Sequence, residues 1–179
     1  GITVPLVHTA NSAAVLRLPE TFYQAVRPGL LLYGLLPYSG AENEIDTRPV
    51  LSLKSRVVYL KSVPAGRKIS YGGTFITTRT TQVATLPIGY ADGISRFLSN
   101  RGEVLLRVQR VPLIGRVTMD IVMLDVTDVA GVTVGDEAVL IGQQDSQRIT
   151  VEDIAHRIGT NNYEVVCLLG KRIPRVYVE

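Results

Sequence analysis

The sequence predicts a mainly β protein in which a short strand–helix–strand segment precedes a larger antiparallel domain. Three observations support this fold class. Residues 1–46 have the pattern of strand, helix and strand, the hydrophobic pattern changes to alternation from Leu51, and a series of short strand candidates separated by turn residues follows. The composition permits a substantial core, since 46% of the 179 residues are hydrophobic and the mean hydropathy is +0.21.

The N-terminal segment has the pattern of a βαβ unit. We predict a strand over residues 1–7, a helix over 13–16 capped by Asn11 or Ser12, and a second strand in the apolar run of residues 26–34. A helix start with a small polar cap can hold a phosphate, although an ordinary cap has the same sequence. A complete (β/α)₈ barrel needs about 250 residues, so this unit would be only part of one.

Residues 37–49 contain prolines, Ser-Gly and three acidic residues, and are predicted to link the two parts of the chain. Beyond them, apolar residues alternate from Leu51 to Tyr59, which is typical of a half-buried antiparallel strand. The only helix predicted here runs from Val151 to Ile158 with a Thr150 cap. The many short strands favour a β-barrel or sandwich, and the further strand candidates are 67–71, 82–88, 103–108, 111–115, 120–126, 137–142, 164–169 and 172–178.

Candidate functional residues lie on turns. Tyr71 stands between a serine and two glycines after a predicted strand, so its hydroxyl can project into a cleft, whereas the alternative is a tyrosine packed on the core. Tyr90 lies on a similar glycine-flanked bend, Met119 lies between Arg116 and Asp120 at a strand start, and Tyr163 follows the helix on a polar turn. Each could be an ordinary loop residue, but together they suggest a site.

Composition argues against several classes of partner. One cysteine, Cys167, excludes a disulfide within the chain and fits a reducing compartment, and two histidines make a zinc or other metal site unexpected. Although the net charge is +3, the basic residues are scattered, so no nucleic-acid partner is expected. The apolar run of residues 30–36 is far shorter than the ~20 residues of a membrane span. Residues 1–20 lack a signal-peptide pattern, and a cytoplasmic location is expected.

Six motifs in order resemble the alanine racemases, which are pyridoxal-phosphate enzymes. The motifs are His8-Thr9-Ala10-Asn11-Ser12-Ala13-Ala14, Arg27-Pro28-Gly29, Ser70-Tyr71-Gly72, Gly89-Tyr90-Ala91-Asp92-Gly93, Gly115-Arg116-Val117-Thr118-Met119-Asp120 and Asn162-Tyr163-Glu164. The resemblance implies a mainly β chain in which an antiparallel β-barrel-like domain, residues 47–179, follows the last βαβ piece of an incomplete (β/α)₈ barrel plus linker, residues 1–46. It also implies a homodimer with active sites shared between subunits.

The resemblance implies a two-base reaction that interconverts L- and D-alanine and supplies D-alanine for cell-wall peptidoglycan. Racemisation needs a base on each face of Cα. Tyr71 matches one base, and the other would be the family's Schiff-base lysine, which lies in a Lys-Ala-Asn motif that this sequence does not contain. The 179 residues alone are therefore expected to be inactive.

Other positions receive roles from the same resemblance. Arg27 matches the arginine facing the pyridine nitrogen of pyridoxal phosphate, and His8 the histidine that hydrogen-bonds it. Met119 matches the residue whose backbone meets the substrate carboxylate, Tyr90 a tyrosine that narrows the entrance, and Arg96 and Arg116 the access corridor. The matched phosphate-binding positions are Asn11, Ser12, Gly29, Leu30 and Tyr163.

Two other functions are also compatible with the sequence. One is a non-catalytic β-barrel module that binds a partner, and the other is a related racemase or decarboxylase acting on another amino acid. One local departure is Arg107-Val108-Gln109-Arg110, where an Asn-Gly or Asp-Gly hairpin turn is expected between two strands.

Overall fold

The computed structural model describes residues 2–178. Two compact units make up the chain, Gly1–Leu51 and Ser52–Glu179. The first contains two parallel strands, in which His8 pairs with Ala25 and Asn11 with Arg27. Its elements are β1 His8–Asn11, α1 Ser12–Arg17, a 3₁₀ turn Pro19–Thr21, β2 Ala25–Arg27, α2 Gly29–Leu32 and a 3₁₀ turn Ala41–Asn43. The predicted boundary after residue 46 stays a prediction.

The first helix begins where its cap predicts. Asn11 has extended φ/ψ angles and its side-chain oxygen accepts a hydrogen bond from the Ala14 N–H, which satisfies one of the free donors of the first turn. The preceding strand is misplaced in the prediction, because residues 2–7 are not strand and pairing begins at His8. Gly1 lies outside the described residues.

The prediction of a strand over residues 26–34 is wrong beyond Arg27. Pro28 has no N–H to donate to a ladder, and the chain turns into the helix α2, with the Leu32 N–H donating to the Pro28 carbonyl. Leucine favours helix as readily as strand, so this run is ambiguous in sequence. Leu30 is buried but Leu32 is 72% exposed within the described chain, unlike a strand covered on both faces.

The predicted linker carries a small polar cluster. Arg17 Nη2 lies 2.6 Å from Glu44 Oε1, and the Arg17 guanidinium stacks 4.0 Å from the centre of the Tyr38 ring. The Tyr38 hydroxyl donates to the same carboxylate. The hydrogen bond from Arg17 lowers the pKa of Glu44, so the glutamate stays charged in acid longer than a free one. These contacts tie residues 38–44 to α1.

The second unit is an antiparallel β structure, which confirms the mainly β fold class. Its strands are β3 Leu53–Arg56, β4 Tyr59–Val63, β5 Lys68–Ile69, β6 Phe75–Ile76, β7 Thr81–Leu86, β8 Glu103–Leu106, β9 Gln109–Ile114, β10 Val122–Asp125, β11 Glu137–Gln144 and β12 Gln147–Ile149. The main sheet has the order β12-β11-β8-β9-β10-β7-β4, with β3 also paired to β11, and β5 and β6 form a separate ribbon.

Two helices follow the sheet. The predicted helix is confirmed as α3, Val151–Ile158, with a capping box between Thr150 and Asp153. Gly159 ends it with a left-handed φ of 75°. The second helix, α4 Asn162–Cys167, contradicts the predicted strand over 164–169, because the Asn161 side chain caps Glu164 and starts a helix. Residues 172–178 are not strand either.

The core of this unit lies under the sheet. One buried cluster joins Leu105, Val139 and Ile149 to Ile154 of α3. A second cluster joins Ile69, Val83 and Ile114, with Val63, Phe75 and Met123 packed around them. The second cluster anchors β5, the short strand that leads directly into the Tyr71 turn. The packing of Ile69 therefore fixes the point at which the Tyr71 turn leaves the β5–β6 ribbon.

The hairpin between β8 and β9 has the geometry of the expected turn with unusual residues. Leu106 pairs with Gln109, leaving a two-residue loop in which Arg107 has φ 50° and Val108 φ 62°. Positive φ at both positions is the type I′ pattern that Asn-Gly adopts without strain. Arg107 is held by Asp136, with its Nε 3.1 Å from the carboxylate. Val108, being β-branched, is the strained member of the pair.

Replacing Val108 with glycine is expected to raise the free energy of unfolding by about 1 kcal/mol, because the left-handed strain is relieved. Chemical denaturation measures the change. Val134→Gly is the matched control, since Val134 is an exposed turn valine outside the left-handed region and its replacement should not stabilise. Equal or lower stability of Val108→Gly relative to the unmodified protein would contradict the strain argument.

Candidate active site

The Tyr71 side chain projects from a strained turn. Tyr71–Gly73 forms a 3₁₀ turn after β5, and Ser70, which precedes it, has φ 61° and ψ −175°. Such a conformation is uncommon for a residue with a side chain. Tyr71 is 74% exposed in the described chain. This contradicts the alternative interpretation, in which the tyrosine packs on the core. The strain at Ser70 directs the phenol outward.

The turn is tied to the segment that follows β9. The Ser70 hydroxyl donates to the Arg116 carbonyl at 2.7 Å. A Cβ on Gly115 would lie 2.7 Å from the Ser70 Cβ, so only glycine allows the two backbones this close. A Cβ on Gly72 would lie 3.5 Å from the Arg116 guanidinium carbon, which places that charge against the Tyr71 turn.

Asn100 holds the same two segments together and was not identified from the sequence. Its side-chain oxygen accepts the Gly115 N–H at 2.6 Å, and its amide nitrogen donates to the Thr74 hydroxyl at 3.1 Å. Asn100 itself has φ 58°, which asparagine tolerates better than most residues. In the sequence, Asn100-Arg101-Gly102 has only the pattern of a turn, because the long-range partners of Asn100 are not visible there.

Tyr90 and Met119 lie on two loops that are hydrogen-bonded to each other. The Tyr90 N–H donates to the Thr118 carbonyl at 2.9 Å, and the Ala91 N–H donates to the Met119 carbonyl at 3.1 Å. Gly89 allows this approach, because a Cβ there would lie 2.3 Å from both carbonyl oxygens. Tyr90 is 42% and Met119 51% exposed, so both side chains reach the surface of the unit.

The Met119 backbone presents an unused donor. Thr118 closes a tight turn on Ile121, in which the Thr118 N–H and hydroxyl both donate to the Ile121 carbonyl. Within residues 2–178 the Met119 N–H has no hydrogen-bond acceptor. A backbone N–H at an exposed turn can bind a carboxylate. Arg96 and Arg116 are exposed residues, and neither forms an ion pair with any described residue.

Four of the predicted phosphate-binding positions, Asn11, Ser12, Gly29 and Leu30, lie in the first unit. Ser12 Oγ is almost completely buried and accepts the Leu31 N–H at 3.4 Å, which brings the starts of α1 and α2 together. The N–H groups of Gly29 and Leu30 have no acceptor among the described residues. The Asn11 side-chain oxygen is used by the Ala14 N–H. The Gly29 and Leu30 N–H groups and the Ser12 hydroxyl proton therefore have no acceptor within residues 2–178.

Arg27 lies at the end of β2 in the same unit. Its Nη2 donates to the Thr9 carbonyl at 2.9 Å, which orients the guanidinium. No hydrogen bond joins the described side chains of His8 and Arg27, so the expected role of His8 stays a prediction. His8 is exposed at the start of β1.

The structure groups some predicted residues and leaves others apart. In the second unit, hydrogen bonds connect the Tyr71 turn to residues 115–116, and the Tyr90 loop to residues 118–119. Tyr163 lies in the first turn of α4 and is 43% exposed. No group of three or more potential metal ligands among His, Cys, Asp and Glu occurs in the described part of the chain. None of its helices is long and apolar enough to cross a membrane.

Residues 50–177 match the model of the family described as "Alanine racemase, C-terminal domain". The chain belongs to the alanine racemase family. Residues 1–37 match the family's N-terminal domain. Among its curated relatives, the alanine racemase of Halothermothrix orenii is 51% identical over 176 residues, and alanine racemase 1 of Clostridium acetobutylicum is 44% identical over 180 residues. These matches cover 98% and 100% of this chain.

Solved alanine racemases have the same fold. The Bacillus anthracis enzyme with bound L-Ala-P superposes with a TM-score of 0.95 at 39% identity, covering all of this chain and 46% of that protein. The Bartonella henselae enzyme with covalently bound pyridoxal phosphate gives 0.89 at 31% identity, covering 99% and 48%. The chain spans about half the length of the alanine racemases it matches, being 46% of the H. orenii protein and 47% of the C. acetobutylicum protein.

Proposed function

We propose that the full-length protein interconverts L- and D-alanine with pyridoxal phosphate, as a cytoplasmic homodimer that supplies D-alanine for peptidoglycan. Residues 1–46 belong to the end of its barrel and residues 47–179 to its C-terminal domain. The observation that carries the proposal is the exposed Tyr71 hydroxyl on a strained, hydrogen-bonded turn, in a chain 51% identical to an alanine racemase. Its single cysteine fits a reducing compartment.

The donors of the first unit suit the phosphate of this cofactor. The free N–H groups of Gly29 and Leu30, the Ser12 hydroxyl proton and the Asn11 position form a cluster of short polar groups that a phosphate can accept from. Tyr163 stays a predicted phosphate-binding position that rests on the family resemblance alone. Bound pyridoxal phosphate supplies an electron sink that makes the Cα–H bond of an amino acid acidic.

Tyr71 Oη moves a proton to or from one face of the substrate Cα. A second base must act on the opposite face, because inversion of a planar carbon needs both faces. The family's lysine has that role in this proposal, and no matching Lys-Ala-Asn motif occurs in the 179 residues. Tyr71 acts on the partner subunit's substrate, which accounts for a tyrosine that is 74% exposed in the isolated chain.

Arg27 and Met119 orient the reacting groups. A guanidinium keeps its proton at neutral pH, so Arg27 binds the pyridine nitrogen without protonating it, and its hydrogen bond to Thr9 holds it there. His8 supports this end of the cofactor site. The Met119 N–H binds the substrate carboxylate, Tyr90 narrows the entrance, and the exposed charges of Arg96 and Arg116 attract the incoming anion.

The test is racemisation by the purified full-length protein. With pyridoxal phosphate added, L-alanine should be converted to an equal mixture of L- and D-alanine, and the same mixture should form from D-alanine. Chiral separation of the products measures both reactions. A panel containing serine and the basic amino acids separates this function from a related racemase or decarboxylase. Absence of turnover with every amino acid would favour a binding module instead.

A further inference from the structure

A buried carboxylate lies behind the Tyr90 loop. Asp92 is 7% exposed, and its Oδ2 accepts the Gly89 N–H at 2.9 Å, closing the bend that carries Tyr90. Its backbone carbonyl accepts the Gly170 N–H at 3.0 Å, which joins the bend to the segment after α4. A buried charge needs a partner, since desolvation of an unpaired carboxylate is costly.

Arg172 provides that partner and contacts a second carboxylate. Its Nε lies 3.3 Å from Asp92 Oδ1, and its Nη2 donates to Asp120 Oδ1 at 2.7 Å. Asp120 directly follows Met119. One guanidinium therefore bridges the loop of Tyr90 and the loop of Met119, and these are the two loops whose backbones are already paired through Gly89.

The contacts of Arg172 differ from those of an ordinary surface ion pair. The planar fork of arginine fixes both carboxylates at once, which a lysine ammonium cannot do with the same geometry. The hydrogen bond to Asp120 and the charge of Asp92 raise the pKa of Arg172 above its ordinary value. The segment that carries Arg172 is itself held in place, because the Arg175 guanidinium donates to the carbonyls of Leu169, Gly170 and Ile173.

We propose that Arg172 is a positioning residue: it holds the loop of Met119, whose N–H binds the substrate carboxylate, against the loop of Tyr90, whose ring narrows the entrance. This inference rests on the proposed racemase function for its catalytic consequence, whereas the bridge itself is a property of the described unit. Arg172 touches neither substrate nor cofactor in this scheme and acts only through Asp92 and Asp120.

The experiment compares Arg172→Met with Arg79→Met in the full-length protein. Arg79 pairs with Asp128, and its side chain is 53% exposed, the same fraction as Arg172, but the pair lies away from both loops. Arg172→Met should raise KM for alanine by about 10-fold or more with a smaller change in kcat, because the carboxylate donor is displaced before chemistry. Arg172→Lys should recover part of the loss, and Arg79→Met should match the unmodified protein.

Amide hydrogen exchange provides a readout that does not need activity. Exchange in segments 89–93 and 117–121 should be about 10-fold faster in Arg172→Met than in Arg79→Met. Asp120→Asn removes one side of the bridge and leaves Asp92 paired, so it should show the same changes to a lesser extent even if Arg172→Met folds poorly. Exchange and KM equal to those of Arg79→Met in both variants would overturn the inference. An inactive unmodified protein would instead overturn the proposed function. Amide hydrogen exchange would still test whether Arg172 holds the two loops together.

Discussion

Tyr71→Phe in the full-length protein is expected to lower kcat for L-alanine by at least about 100-fold while changing the affinity for pyridoxal phosphate by less than about twofold. The substitution removes one oxygen, and the phenyl ring keeps the shape of the side chain. The turn should persist, because its hydrogen bonds come from Ser70 and Asn100 and not from the tyrosine. Only the proton transfer at Oη is removed.

Chiral analysis of the products measures kcat for L-alanine, and a cofactor titration measures the affinity for pyridoxal phosphate. Tyr59→Phe is the matched control, since Tyr59 is a 56% exposed tyrosine on β4 that is not among the predicted site residues. It should behave as the unmodified protein does. If Tyr71→Phe loses cofactor affinity and turnover in equal measure, Tyr71 has a structural role, and the base assigned to it must be sought elsewhere.

Gly89→Ala should reduce both stability and activity. The added Cβ would lie 2.3 Å from the carbonyl oxygens of Thr118 and Met119, and backbone atoms cannot yield as a flexible side chain can. We expect the two loops to separate, with a loss of about 2–3 kcal/mol in the free energy of unfolding. The kcat/KM for alanine should fall by about 10-fold or more, because the Met119 N–H moves with its loop.

Gly102→Ala is the control for this substitution. A Cβ at Gly102 meets no atom closer than 3.2 Å, the Leu98 Cβ, so the loss should be no more than about 1 kcal/mol. Chemical denaturation and steady-state kinetics of both variants give the comparison. Equal stability of the two variants would show that the close approach of the loops is not required, and would weaken the account of Arg172 as well.

Local signals in the sequence predicted the local features of the fold. The Asn11 cap and the capping box between Thr150 and Asp153 depend on residues within one turn, and both are present as predicted. The errors involve apolar runs, such as residues 26–34 and 164–169, in which leucine and valine fit helix or strand. Burial on one face decides between them, and burial depends on distant parts of the chain.

By itself the sequence determined the mainly β class, the family motifs and the identity of the candidate residues, because residue type and spacing are local information. Only the tertiary structure showed the positive φ at Ser70, the bridging by Asn100 and the pairing of Arg172 with Asp92 and Asp120. Arg172 lies 52 residues from Asp120 along the chain. Contacts of this kind are set by how the sheet and α4 pack, which no local pattern encodes.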